Sequence, residues 1–375
     1  PLVLTLTYLC PLDILGSIVL FVLLAALKIG AMDRIGFTAG SSSHTIGSSE
    51  ALALESFGAI LFIAAWSVWL ARGHLRQVWH QVRTGAGDRR EVLLYRLALL
   101  GPVLSALYVI GWATTLGTGL PLAAGSFLLM ATTFFVTTKL IAATGFPYMM
   151  PAWSNAKGGS FITNLIGTDL LSSRQVVAFK IFTSSAFFGN IRLPAWPAIP
   201  HALRIFSLRD QPWLVTSAIL VAFIVGSLVA VWASLEMAYD KGGAIFLMGA
   251  VGVFNETTHL IRNPTSTDLV LWLLWLWGFL EAWILAFCRS RIYWFPLHPV
   301  GLAFQYTSGT SIYWFSLFLV WLVKLTLLRY GGVKAYRQGK PFFYGLGVGY
   351  VVGVLLSGIV DAIWFPVHGH TVHDW

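Results

Sequence analysis

Apolar stretches of about 20 residues, almost free of charge, recur along the whole chain, and each is long enough to cross the hydrocarbon core of a bilayer as a helix. Of the 375 residues, 57% are hydrophobic and only 10% charged, against roughly 25% in a soluble domain. The mean hydropathy is +0.76. So few charges cannot solvate a surface of this size. The expected fold is an all-α integral membrane protein of about eight to nine transmembrane helices, one of them a broken crossing, plus interfacial helices. A soluble enzyme, a disordered chain and a disulfide-framed domain are excluded. Cys10 and Cys288 make neither a disulfide framework nor a CxxC metal pair.

The spans read as Leu12 to Gly30, Ala51 to Leu70, Leu94 to Gly117, Leu120 to Thr144, Trp213 to Met237, Leu269 to Cys288, Ile312 to Leu328 and Phe342 to Trp364. The chain is read as one polytopic domain over 1–375. It starts at Pro1 inside apolar sequence, without a signal-peptide pattern, as expected for the C-terminal part of a longer chain.

The net charge of +9 fits cytoplasmic loops rather than nucleic acid, since no basic stripe with interleaved aromatics lies outside a membrane context. Eighteen of the 24 basic residues fall in four stretches, 72–96, 145–211, 289–291 and 329–340. These are expected in the cytoplasm, with 146–211 as an interfacial connection on that side. Spans ending at Arg291 and at Arg329 both end inside. The chain must therefore cross outward between them, through Tyr293 to Thr310. Pro296 and Pro299 forbid an ordinary span there, and a broken crossing shielded by other helices is expected. The C-terminus then lies outside. Ala244 to Asn255 is apolar but short, which suggests a half helix on the outer side.

Ionisable residues inside spans are functional candidates by default. Glu55 and Glu281 are the main ones, either as carboxyls hydrogen-bonded across helices or as proton or substrate groups. Lys324 and Asp361 lie near span ends and read as structural. Lys28 and Lys139 are close enough to helix ends to snorkel. His298 is the one histidine within a crossing, so Glu281 and His298 read either as a proton relay, with Glu55 as a third transport candidate, or as groups that merely hydrogen-bond neighbouring helices. Glu256 and His259 share a helix face but lack a third ligand. The tail with His368, His370, His373 and Asp374 reads as solvated. No metal and no cofactor is expected. Nothing resembles a P-loop, a dinucleotide-binding loop, a nucleophile elbow or HExxH, so the chain is not read as an enzyme. Gly345, Gly349 and Gly353 line one helix face and predict close helix packing.

The residues Arg291, Phe295, Pro296, His298, Pro299 and Gly301, then Trp314-Phe315-Ser316, Leu328 to Gly332 and Tyr336-Arg337, carry a resemblance. So do Pro11 to Asp13, Glu55, Ala71-Arg72 and His74-Leu75. The chain resembles an uncharacterised family of bacterial polytopic membrane proteins, sometimes labelled peptide transporters. That family is distantly similar to the oligopeptide transporter superfamily. The resemblance implies a proton-coupled secondary transporter of small peptides or related solutes in the bacterial inner membrane. The alternative is a non-transporting structural or anchoring subunit of a larger envelope complex. The expected partners are the lipid bilayer and other membrane or envelope subunits, and no nucleic acid.

Overall fold

The computed structural model describes residues 2–41, 44–144, 161–186, 212–241 and 244–365. Short α1 (Leu2–Leu9) leads into α2 (Leu12–Arg34), a small hairpin of β1 (Ala39–Ser41) and β2 (His44–Ile46), and the 37-residue α3 (Ser48–Thr84). An antiparallel pair follows, α4 (Arg89–Leu116) and α5 (Leu120–Thr144). Next come α6 (Phe161–Ile166), α7 (Ser173–Lys180, continuing as a π-helical turn through Ala186), α8 (Pro212–Lys241) and α9 (Ala244–Arg262). The last part holds α10 (Leu269–Arg291), five-residue α11 (Pro299–Ala303), α12 (Ser308–Thr326) and α13 (Gly332–Trp364). Among the described residues, seven helical runs are long and apolar enough to cross a membrane. The two closing spans form one run, Gly309–Trp364, because a π turn over Leu327–Gly331 links α12 to α13. Gly332, at φ +62°, breaks the axis there, and α1 packs against both halves.

Local signals set the boundaries. The carboxylates of Asp88 and Asp268 accept from the backbone N–H groups of Arg90 and Val270 and so cap α4 and α10. Thr307 and Thr310 form a capping box at the start of α12. Gly85 and Gly117 stop α3 and α4 in the left-handed region, at φ +70° and +109°. At about 1.5 Å per residue, α3 is far longer than the hydrocarbon core. The polar stretch from Arg72 therefore stays helical to Thr84 instead of leaving the helix, with the Arg72 guanidinium 4.5 Å from the Trp69 ring centroid. The segment read as a half helix over 244–255 extends through the polar residues to Arg262, making 19 residues of helix.

The bundle has two recognisable ends. At the basic end, Arg289 closing α10 pairs with Asp13 opening α2 at 2.5 Å. Lys324 there donates to the carbonyls of Tyr8 and Cys10, at 2.9 and 2.5 Å, and so caps the C-terminal carbonyls of α1. At the opposite, hairpin end, β1 touches α10, and the turn at Gly117–Gly119 joins α4 to α5. The core is built on α2, α3, α10 and the buried segment around α11, with Leu52, Phe57, Ile60, Val300 and Phe304 almost wholly enclosed.

The described part of the connection, 161–186, does not lie at the end that carries 72–96. Arg174 packs on Gly117 and Gln175 on Gly119, and the Trp112 and Phe182 rings meet at a tilt, with centroids 6.4 Å apart. The tip between α6 and α7 is clasped to the loop before α10. Thr168 N–H donates to the Thr265 carbonyl at 2.7 Å, and Thr265 N–H to the Thr168 hydroxyl at 3.0 Å. Trp272 and Thr267 both donate to the Leu165 carbonyl. Arg174 and Lys180 thus sit at the hairpin end, where the charge count places few basic residues. The remainder of 146–211 lies outside the described residues.

The glycine stripe of α13 is open among the described residues. A Cβ on Gly345, Gly349 or Gly353 meets nothing within 4 Å among the described residues. The face of α13 that packs is the opposite one. Gly339 and Gly347 admit Tyr8 and Thr5 of α1, while the Phe343 ring stacks on Tyr8 at 3.9 Å and its carbonyl accepts from Thr5. The four-residue rhythm is present on both faces, and only the contact with α1 selects one.

Candidate functional site

The closest helix approach in the core is made by two glycines. A Cβ on Gly278 would overlap the Glu55 carbonyl, and one on Gly58 would overlap the Trp275 carbonyl and lie 2.8 Å from Phe279 N. Only residues without a Cβ let α3 and α10 meet at this distance. Glu55 stands three residues before Gly58, and Glu281 three after Gly278. Residues three apart share a helix face. The crossing therefore delivers one carboxyl group from each helix to the same place.

Lys28 of α2 completes the cluster. Its Nζ lies 2.5 Å from Glu55 Oε1 and 3.8 Å from Glu281 Oε2. The Glu55 side chain is 7% exposed and that of Glu281 24%. Glu281 Oε2 is buried without a hydrogen bond among the described residues and lies on the side of the ammonium. One ammonium balances two carboxyl groups only when one of them carries a proton. Beside Glu55, the Ser56 hydroxyl accepts from Gln305 Nε2 at 3.3 Å, and Gln305 Oε1 is buried without a partner among the described residues. Gln305 belongs to the non-helical turn after α11, so the broken segment bonds to α3 at the residue that follows Glu55.

His298 is elsewhere. Its backbone N–H donates to Ser17 Oγ at 2.8 Å, and its ring Nδ1 accepts from Val300 N–H at 3.1 Å, capping α11. Gly301 lets that short helix lie directly on α2, where a Cβ would be 2.6 Å from the Ser17 carbonyl. Between α10 and α12 the segment expected to be a broken crossing is helical only over the five residues of α11; it is enclosed by other helices from Pro299 on, while Tyr293, Trp294 and Pro296 are exposed. It runs from the level of Ser17 to that of Ser56. His298 lines a cavity of about 350 Å³ at the basic end together with Trp66, Ser67, Lys139 and Arg289; Glu281 is not among its walls. Glu281 and Glu55 are brought together, and His298 is not brought to them.

The chain belongs to the DUF6785 family. The family model matches residues 1–372, and its description is a family of unknown function. No curated protein and no solved structure matches the chain.

The remaining candidates are accounted for locally. Glu256 pairs with Lys180 across α7 and α9, not with His259, and no group of three metal-ligating side chains occurs among the described residues. The histidine-rich tail lies outside the described residues. Sequence reading missed Lys28, taken as a snorkelling residue, and both glycines. A signal for them exists: Glu55-x-x-Gly58 on one helix and Gly278-x-x-Glu281 on the other place a carboxyl one turn from a contact glycine twice.

Proposed function

We propose that this protein is a secondary transporter of small peptides or related solutes, coupled to protons and resident in the bacterial cytoplasmic membrane. The observation that carries the reading is the Lys28–Glu55–Glu281 cluster at the core of apolar helices. Ionisable groups at such depth are costly and are kept where ions, protons or substrates move. With one positive charge and two carboxyl groups, the cluster exchanges a single proton between a neutral and a charged state. That is the minimum a proton-coupled carrier needs. Peptides as the solute class rest on the resemblance to the oligopeptide transporter superfamily.

One interrupted segment supports the same reading. The stretch around α11 is a broken helix buried among its neighbours, and transporters build their sites from such pieces. In this reading 293–310 is a ninth crossing, the basic end faces the cytoplasm and the C-terminus lies outside. Glu55 and Glu281 carry the proton, Lys28 holds the countercharge, and His298 positions the broken segment. The test is uptake of labelled di- and tripeptides into reconstituted vesicles under an imposed pH gradient. Wild type accumulates solute and Glu281→Gln does not. A wild type that accumulates none of them refutes the reading.

One observation favours the second reading, an anchoring subunit of an envelope complex. The described side chains of α8 are almost all exposed, and Gly345, Gly349 and Gly353 leave a face of α13 open for another helix. Co-purification of a stoichiometric membrane partner, lost in Gly349→Leu, supports it over transport.

A further inference from the structure

We infer that the cavity at the basic end binds an anionic group, a carboxylate or a phosphate, carried on a small apolar body. This site is separate from the Lys28–Glu55–Glu281 cluster and does not depend on transport.

Its hydrogen-bond donors come from three distant parts of the chain: the cations Lys139 of α5 and Arg289 of α10, and His298 ahead of α11. Arg289 gives one N–H to Asp13 at 2.5 Å and keeps further donors in its fork. Lys139 has no carboxylate partner among the described residues. Its Nζ donates to Ser67 Oγ at 2.5 Å, and Ser67 passes its own hydrogen to the Ile63 carbonyl at 2.6 Å. That arrangement fixes the ammonium at the cavity wall with two N–H donors left over. In the neutral His298 ring, Nδ1 accepts from Val300, which leaves the proton on Nε2 and makes that nitrogen a donor. Two fixed cations and a donor imidazole therefore face this cavity, while Asp13 is the carboxylate bonded among them. An anion supplies the missing charge.

The other walls are apolar, including Ile14, Phe62, Trp66, Leu70 and Leu140. A volume of about 350 Å³ is at the small end of ligand sites. It admits a lipid headgroup with its first carbons, or a small amphipathic acid, but not a whole phospholipid. Bare phosphate leaves the apolar part unfilled. The ligand is thus an acid with an apolar body, supplied by an anionic lipid from the bilayer or by a free solute.

The experiment is thermal stabilisation of the purified full chain in a zwitterionic micelle. The probes are phosphatidylglycerol against phosphatidylcholine, and hexanoate and hexyl phosphate against hexanol. Wild type is expected to be stabilised by anionic probes over their neutral counterparts. Lys139→Gln should weaken that binding by on the order of tenfold or more, the worth of a charge-assisted hydrogen bond. Lys139→Arg should restore it, and the exposed control Arg76→Gln should leave it unchanged. Because Arg289 also holds Asp13, the test rests on Lys139, whose removal breaks no ion pair. Stabilisation by phosphatidylglycerol alone assigns the site to a lipid, and by the hexyl acids alone to a solute. Either supports the inference. Equal effects of charged and neutral probes, or undiminished binding by Lys139→Gln, overturn it.

Discussion

Replacing Lys28 by Met removes the positive charge from a cluster that contains two carboxyl groups. With an effective dielectric near 20, the gross attraction scales as 332/(20r), about 7 kcal/mol at the Glu55 contact and about 4 kcal/mol at Glu281. Desolvation cancels most of both. The measurable quantity is the cost of a buried charge left without its partner, about 3–5 kcal/mol. The Lys28 side chain is 33% exposed, so the lower end of that range applies. Lys28→Met should therefore be strongly destabilised. Because Glu55 is both nearer and more enclosed than Glu281, Lys28→Met/Glu55→Gln should recover more stability than Lys28→Met/Glu281→Gln. Unfolding of the three variants in micelles, followed by loss of the monodisperse peak on heating, gives the ranking. If Lys28→Met unfolds with the wild type, or the Glu281 double mutant is the better rescued, the ammonium is not holding this cluster.

Other variants separate the remaining claims. Gly278→Ala should push α3 from α10 and cost about 1–3 kcal/mol, as overpacking does, whereas Gly345→Ala should stay within about 0.5 kcal/mol in the isolated protein. The same thermal assay distinguishes them. His298→Ala should lose a helix cap worth about 1 kcal/mol, and His298→Asn should restore it with uptake intact; an inactive His298→Asn points back to a proton relay through the imidazole. Thr168→Val removes the hydroxyl that receives Thr265 N–H, a loss of about 1–3 kcal/mol felt locally. Hydrogen exchange should rise first at 163–168 and 263–268 and not in α2.

The long apolar helices were legible because lipid imposes one rule on every span: each must satisfy its own backbone and carry few charges. The broken segment was legible for the same reason, through Pro296 and Pro299. What the sequence hid depends on which faces meet. Lys28 reads as a snorkelling lysine because its distance from a helix end allows that, and only the neighbouring α3 and α10 turn it inward. Gly345, Gly349 and Gly353 make a better pattern than Gly339 and Gly347, yet α1 fills the second face with Tyr8. Arg174 and Lys180 stand at the hairpin end because α7 folds back to it, a placement that depends on the tertiary contacts of Gly117 and Glu256. Glu281 pairs with Glu55 and not with His298 because the α3–α10 crossing outranks closeness in the chain.

The central claim is that the cluster formed by Lys28, Glu55 and Glu281 carries the proton that drives solute movement. Its most direct test compares two activities of the same vesicles: exchange of labelled for unlabelled peptide at equal pH, and accumulation against a gradient when the outside is made acidic. A carrier whose proton group is replaced by a permanently neutral one still exchanges but no longer accumulates. Glu281→Gln and Glu55→Gln are expected to show that split. Accumulation at the wild-type level by both variants would contradict the account.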